Sequence, residues 1–183
     1  MIRVYSKILT LALLVLIIDQ WTKQLAIEYL EVENNSVDFI SWWKWTLVHN
    51  HAAAFGVFGS LAKTLSPFMK KAFFLSFPLA ILFFLWKFFI LTFERDEKFR
   101  PIIMGLVFGG ALGNLVDRVR HGYVIDFIDW NYPVESGSCL PLFHYFAGAC
   151  HWPVFNFADS AITAAMILLV VETIFFANKR PQL

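Results

Sequence analysis

The chain has 183 residues, of which 58% are hydrophobic and 18% aromatic, with a formal net charge of +1. A soluble domain averages about 45–50% apolar residues, so this excess points to a lipid solvent. The balanced charge, with no basic stripe among the aromatics, argues against a nucleic-acid partner.

Apolar runs divide the chain into four segments, each near the roughly 20 residues a helix needs to cross about 30 Å of hydrocarbon. The first covers residues 5–29 and contains an unbroken apolar run from Ile8 to Ile18. Arg3 and Lys7 ahead of that run imitate a signal peptide. Asp19-Gln20-Trp21 then follows in place of a small-x-small cleavage pattern, so the segment reads as a retained membrane helix. Asp19 and Lys23, spaced i, i+4, share a helix face and are expected to pair as a tie between this segment and its neighbours.

Residues 30–71 form a long connection. Val37 to Ile40 and Trp45 to Val48 are rich in β-branched and aromatic residues and are expected to form short strands on the membrane face. Trp42, Trp43 and Trp45, with Trp130 and Trp152 further on, read as headgroup-level anchors, the alternative being core aromatics of a small cap. Asn50 can donate and accept at once, which suits either holding an extended peptide or capping a turn.

The second segment, 72–91, is rich in phenylalanine, and a short charged stretch joins it to the third, 101–119. Gly105, Gly109 and Gly113 repeat there at the small-xxx-small spacing that lets another backbone approach, which places this segment at the centre of a bundle. At its end Asn114, Asp117 and Arg118 share a face. The planar donor fork of Arg118 suits orienting a carboxylate or a substrate carbonyl; snorkelling to the interface is the plainer reading.

A second long connection, 120–156, carries Asp126 within Val124-Ile125-Asp126-Phe127-Ile128-Asp129-Trp130. It also holds the two cysteines, Cys139 and Cys150, for which a disulfide and a pair of thiols are both open. The fourth segment, 157–177, is introduced by Asn156 and carries Asp159 in its first turn. Like Asn50, Asn156 suits peptide binding or a cap.

Odd segments end and even segments begin at one face of a bilayer, so these polar groups converge there. Ionisable residues at membrane depth cost about 2.5–3.5 kcal/mol each on insertion scales and are functional-site candidates by default. Basic residues divide almost evenly between the two sides; Arg3 and Lys7 favour both termini in the cytoplasm.

Asp126 and Asp159 sit among apolar neighbours, and burial raises a carboxylate's proton affinity. Two such groups held together share one proton. One takes a proton from water while the other donates to a scissile carbonyl, which hydrolyses an amide without a covalent intermediate. The plainer reading is a pair of interface-capping aspartates, with Asp159 favoured by a helix dipole. The five histidines form no helical ligand pair with an acidic third partner, and there is no CxxC, HExxH, GxSxG or Ser/His/Asp set. Neither a metal, a cofactor nor serine chemistry is therefore expected. Two other classes compete with an enzyme. A small transporter or ion relay should spread its charges over several depths, and a non-catalytic binding factor needs the pocket but no dyad.

Five blocks occur in order: Asp19-Gln20-Trp21-Thr22-Lys23, Asn50-His51-Ala52-Ala53-Ala54-Phe55-Gly56, Gly110-Ala111-Leu112-Gly113-Asn114-Leu115-Val116-Asp117-Arg118, Val124-Ile125-Asp126-Phe127-Ile128 and Phe155-Asn156-Phe157-Ala158-Asp159. Together they closely resemble the lipoprotein signal peptidase (signal peptidase II) family. The resemblance implies one membrane-embedded domain over 1–183: four transmembrane helices with a small β-rich extracytoplasmic platform and a mobile loop, both supplied by 30–71. It implies a bacterial inner-membrane aspartic peptidase with both termini cytoplasmic and its site near the outer face. Substrates would be prolipoproteins already carrying diacylglycerol on a cysteine, cut on the N-terminal side of that cysteine, and globomycin-like peptides would inhibit. Asp126 and Asp159 match the family's catalytic positions. Asp19, Lys23, Asn50, Asn114, Asp117, Arg118 and Asn156 match its substrate-contacting or site-supporting ones. The chain departs from the family at Ala52, where many members have glycine, and over 131–151, which resembles an insertion.

Overall fold

A computed structural model describes residues 2–51, 66–92, 99–130 and 152–176. In chain order its elements are α1 (Ile2–Leu30), β1 (Ser36–Ile40), β2 (Trp43–Asn50), α2 (Pro67–Thr92), α3 (Arg100–Arg120), β3 (Val124–Trp130) and α4 (Phe157–Phe176). All four helices are long and apolar enough to cross a membrane. The class is the expected one, a helical membrane bundle with a small sheet at one end.

Small residues make α3 the central helix. A methyl group at Gly109 would fall 2.6 Å from Cβ of Val15 and 2.7 Å from the Ala12 carbonyl oxygen, both on α1. One at Gly110 would meet the Ala158 carbonyl and Ile162 of α4. Lipid tails are as apolar as leucine, so such close backbone contact is what holds membrane helices together. At the other end of the bundle Phe89 of α2 joins Ile8 and Met104 in a buried cluster. The remainder of α2 turns Phe77, Phe83, Phe84 and Phe88 outward, as a lipid-facing surface should.

The chain leaves α1 where Glu31 takes a left-handed φ of 57°, and Asn35 Nδ2 closes that helix end by donating to the Leu30 carbonyl at 2.8 Å. The end of α3 is sharper. Gly122, at φ +82°, adopts a conformation that is free for glycine, while the His121 N–H bonds the Asp117 carbonyl at 2.7 Å. The chain therefore turns straight from α3 into β3.

The sheet is antiparallel in the order β1-β2-β3. Leu47, Ile125 and Phe127 pack with Ala26 and Leu30 of α1, which seats the sheet on the last turns of that helix. The two expected strands lie within β1 and β2. The connection expected over 120–156 contains a third strand, β3, which carries Asp126. Asp126 lies opposite Val48, where the ladder resumes after a register shift, and strand pairing from there on fixes which face it points to. Ala52, the stretch 131–151 and its two cysteines lie outside the described residues.

Candidate active site

Lys23 is 2% exposed, and its ammonium has three N–H groups to satisfy. Its Nζ lies 2.8 Å from Asp19 Oδ2, one turn earlier on α1, and 2.8 Å from Asp117 Oδ2 on α3. It also donates to Asn114 Oδ1 at 3.0 Å. Three donors thus meet three acceptors. The carboxylates are engaged further in turn. Asp19 Oδ1 accepts the N–H of Ala158 at 2.9 Å, in the first turn of α4. Asp117 Oδ2 accepts the N–H of Ile125 on β3 at 3.1 Å, and its Oδ1 accepts Gln20 Nε2 at 2.9 Å. One buried charge cluster therefore joins α1, α3, β3 and α4. It leaves no room at Gly113, where a methyl group would press on Asp19 Oδ2.

The start of α4 is a reciprocal cap. Asn156 Oδ1 accepts the Asp159 N–H at 2.9 Å, and Asp159 Oδ2 accepts the Asn156 N–H at 3.3 Å. Two donors that a helix start leaves orphaned are satisfied, and the carboxylate is held where the helix dipole favours negative charge. The other oxygen, Asp159 Oδ1, accepts Asn114 Nδ2 at 2.8 Å. Asn156 is fully buried and turns its Nδ2 to Asp126 Oδ1 at 2.6 Å and to Asn114 Oδ1 at 3.1 Å. From β2, Asn50 Nδ2 donates to Asp126 Oδ2 at 2.9 Å. The two carboxylates are thus bridged by one residue, Asn156, and steadied by a further asparagine each.

Asp126 is buried while Asp159 is half-buried, so the pair opens to its surroundings on the Asp159 side. Burial, and then the negative charge of Asp159, push the Asp126 pKa from its ordinary 3.8 up to about 7. Amide donation from Asn50 and Asn156 and the Lys23 charge pull the other way. Arg118 lies in electrostatic range of both aspartates, with its Nη1 at 3.5 Å from the Asn114 carbonyl. Among the described residues no three His, Cys, Asp or Glu side chains are grouped so as to hold a metal ion.

The family model described as signal peptidase (SPase) II matches residues 11–175, a stretch that includes every member of this cluster. The chain belongs to the signal peptidase II family. It is 35% identical over 176 residues to the lipoprotein signal peptidase of Acinetobacter baumannii, covering 95% of this chain and 86% of that one. It is also 35% identical over 179 residues to the lipoprotein signal peptidase of Francisella tularensis subsp. novicida, covering 98% of each. A solved structure described as a bacterial membrane enzyme superposes with a TM-score of 0.69 at 31% identity, covering 97% of this chain and 94% of that one. As a signal peptidase II family member with four apolar helices, the chain is a protease, a hydrolase, and a multi-pass membrane protein.

Family membership does not favour the transporter or relay reading, and neither does the placement of charge. Among the described residues a further, partly buried ion pair joins Arg100 Nε to Glu172 Oε1 at 3.8 Å, at the opposite end of the bundle. Neither α3 between Arg100 and Asp117 nor α4 between Asp159 and Glu172 carries any charge. On α4 that gap is about 20 Å of helix at a rise of about 1.5 Å per residue. A relay has no stepping stones there.

The structure brings Asp19, Lys23, Asn50, Asn114, Asp117, Arg118, Asp126, Asn156 and Asp159 into one cluster. Sequence reasoning passed over Gln20, which also reaches the Gly113 carbonyl at 3.2 Å. Its signal was its place between Asp19 and Lys23 in the first ordered block.

Proposed function

We propose that this signal peptidase II family member is an aspartic endopeptidase that removes signal peptides from diacylglyceryl-modified prolipoproteins. The observation that carries this reading is the bridged pair itself: Asp126 and Asp159 held on either side of Asn156, with Asn50 and Asn114 on their outer oxygens. The names of the relatives supply the substrate class.

Near neutral pH the dyad holds one proton between its two carboxyl groups, as closely coupled carboxylates do. The ionised carboxylate removes a proton from a water molecule as the water oxygen bonds the scissile carbonyl carbon. The protonated one donates to the carbonyl oxygen. The resulting gem-diol collapses as one of its hydroxyls returns a proton to the free carboxylate, its C–N bond breaks and the other carboxyl's proton passes to the leaving amine of the cysteine. One proton again remains on the pair. Arg118 offsets the negative charge of the aspartates and orients Asn114; Lys23, Asp19 and Asp117 fix the helices that carry the dyad.

The peptide lies across the outer end of the bundle while its acyl chains stay in hydrocarbon, each buried CH₂ contributing about 0.8 kcal/mol to positioning. The fold then sits in the bacterial inner membrane with both termini cytoplasmic and the sheet outside. A globomycin-like peptide would occupy the same groove. The test is cleavage of diacylglyceryl-modified prolipoprotein in detergent by wild type, Asp126→Asn and Asp159→Asn. Wild type alone should cleave. Activity surviving in both variants would move the chemistry to other residues, and equal cleavage of unlipidated precursor would remove the role given to the lipid.

A further inference from the structure

Asn50 is the last residue of β2, and its pairing with Val124 is the last rung of the ladder to β3. A strand end is where a ladder frays, yet the Asn50 amide must stay within 2.9 Å of Asp126 Oδ2. Successive side chains on a strand point to opposite faces. Asn50 turns to the Asp126 face, so His49 before it turns to the other, and His51, just beyond the strand, meets Tyr123 there as well. On that other face the ring of Tyr123 meets both. It stacks on His49 with centroids 4.2 Å apart and 25° between planes, and meets His51 edge-on at 5.1 Å. His121, the C-cap of α3, adds a third contact at 5.7 Å. Tyr123 also packs against the buried cluster under the sheet, so its ring is anchored from below. His49 is held a second time, its Nδ1 lying 3.2 Å from Glu33 Oε2.

Nothing in the dyad chemistry uses these rings, yet together they flank the residue that orients Asp126. We infer that Tyr123 is a positioning residue for the dyad: it grips the end of β2 from one face and so keeps Asn50 on Asp126 from the other. The inference rests on the aspartic reading above. It also explains why the chain passes from α3 to β3 with only Gly122 between His121 and Tyr123. That tight turn sets the ring against the helix end that carries Asp117 and Arg118.

The experiment measures kcat, KM and the pH profile on diacylglyceryl-modified prolipoprotein for Tyr123→Leu, Tyr123→Phe, Asn50→Leu and the Tyr123→Leu/Asn50→Leu double variant. Misplacing a catalytic group by an ångström or less costs rate more than affinity, so Tyr123→Leu should lower kcat about tenfold with KM little changed. Its rising pH limb should move upward, because loss of the Asn50 bond strengthens proton binding by Asp126. Tyr123→Phe, which keeps the ring, should recover most of the rate. The double variant should be no slower than Asn50→Leu alone, since both changes remove the same bond. Wild-type kinetics in Tyr123→Leu, or penalties that multiply in the double variant, would overturn the inference. Should Tyr123→Leu fail to fold, His49→Leu and His51→Leu each remove one wall of the grip, and an unshifted profile in both would overturn it equally. Failure of the aspartic reading is separately visible, as cleavage that persists in Asp126→Asn and Asp159→Asn.

Discussion

Replacing Lys23 with methionine keeps the volume of the side chain and removes its charge. In the native protein its ammonium sits 2.8 Å from each of two carboxylates and 3.0 Å from an amide oxygen, with 2% exposure. The variant leaves Asp19 and Asp117 buried beside each other without a counter-charge. Breaking a buried pair by removing one partner costs about 3–5 kcal/mol. For a chain of this size each kcal/mol shifts Tm by about 2–4 °C, so Lys23→Met should melt about 6–20 °C below wild type. Thermal unfolding in detergent micelles, followed by tryptophan fluorescence, measures it. The Asp19→Asn/Lys23→Met double variant should recover part of the loss. It keeps an acceptor for the Ala158 N–H and removes one of the stranded charges. Lys23 also favours the ionised form of Asp126, so the activity of Lys23→Met should rise at higher pH than that of wild type. A Tm within 2 °C of wild type, on the order of half a kcal/mol, would refute the view that this cluster holds the bundle together.

Gly113→Ala drives a methyl group onto Asp19 Oδ2, and that carboxylate cannot retreat without releasing Lys23 or Ala158. Overpacking of this kind costs about 1–3 kcal/mol, and the variant should show a lowered Tm together with reduced cleavage. Asp126→Asn should show a stability gain that depends on pH. With a folded-state pKa above the ordinary 3.8, the native protein binds more protons than the unfolded chain, so native stability falls as pH rises from 3.8 through about 7. The amide does not titrate, so the variant should melt above wild type at pH 8, and that advantage should shrink steadily as the pH is lowered towards 4; an advantage constant with pH would contradict the assignment. Glu172→Gln weakens the ion pair at the far end of the bundle and should lower Tm while leaving the cleavage rate of the folded protein unchanged. A selective loss of rate would mean that the two ends communicate.

The bundle was legible because its signals are local. Four apolar runs of membrane length announce the helices, and glycines four apart announce the helix at the centre. The i, i+4 spacing of Asp19 and Lys23 was enough to pair them, but their other partners are 94 residues further on in Asp117 and 139 residues further on in Ala158. Contacts at such separations follow from how helices cross, which no local pattern encodes. β3 was missed although Val124 to Trp130 is as rich in β-branched and aromatic residues as β1. Its two acidic residues, Asp126 and Asp129, obscure the alternation of a short apolar run. The reciprocal cap of Asn156 and Asp159 could have been read directly, since a short polar residue followed three positions later by a carboxylate at the head of an apolar run is a helix-start signature. Tyr123 carried no signal of its own. Only the folded end of β2 reveals that His49 and His51 meet on the face it occupies.

The distribution of the site along the chain bears on how the enzyme is born. Synthesis proceeds from the N-terminus, so α1 reaches the membrane with Asp19 and Lys23 already able to neutralise one another within a single turn. When α3 follows, Asp117 finds Lys23 already in place as its partner. Asn156 and Asp159, by contrast, are on the last helix to arrive. The bond from Ala158 to Asp19 that docks this helix forms in the same movement that brings Asp159 to Asp126. On the aspartic reading proposed above, the dyad is therefore incomplete until the last helix docks, and the same contact that completes the bundle completes the site.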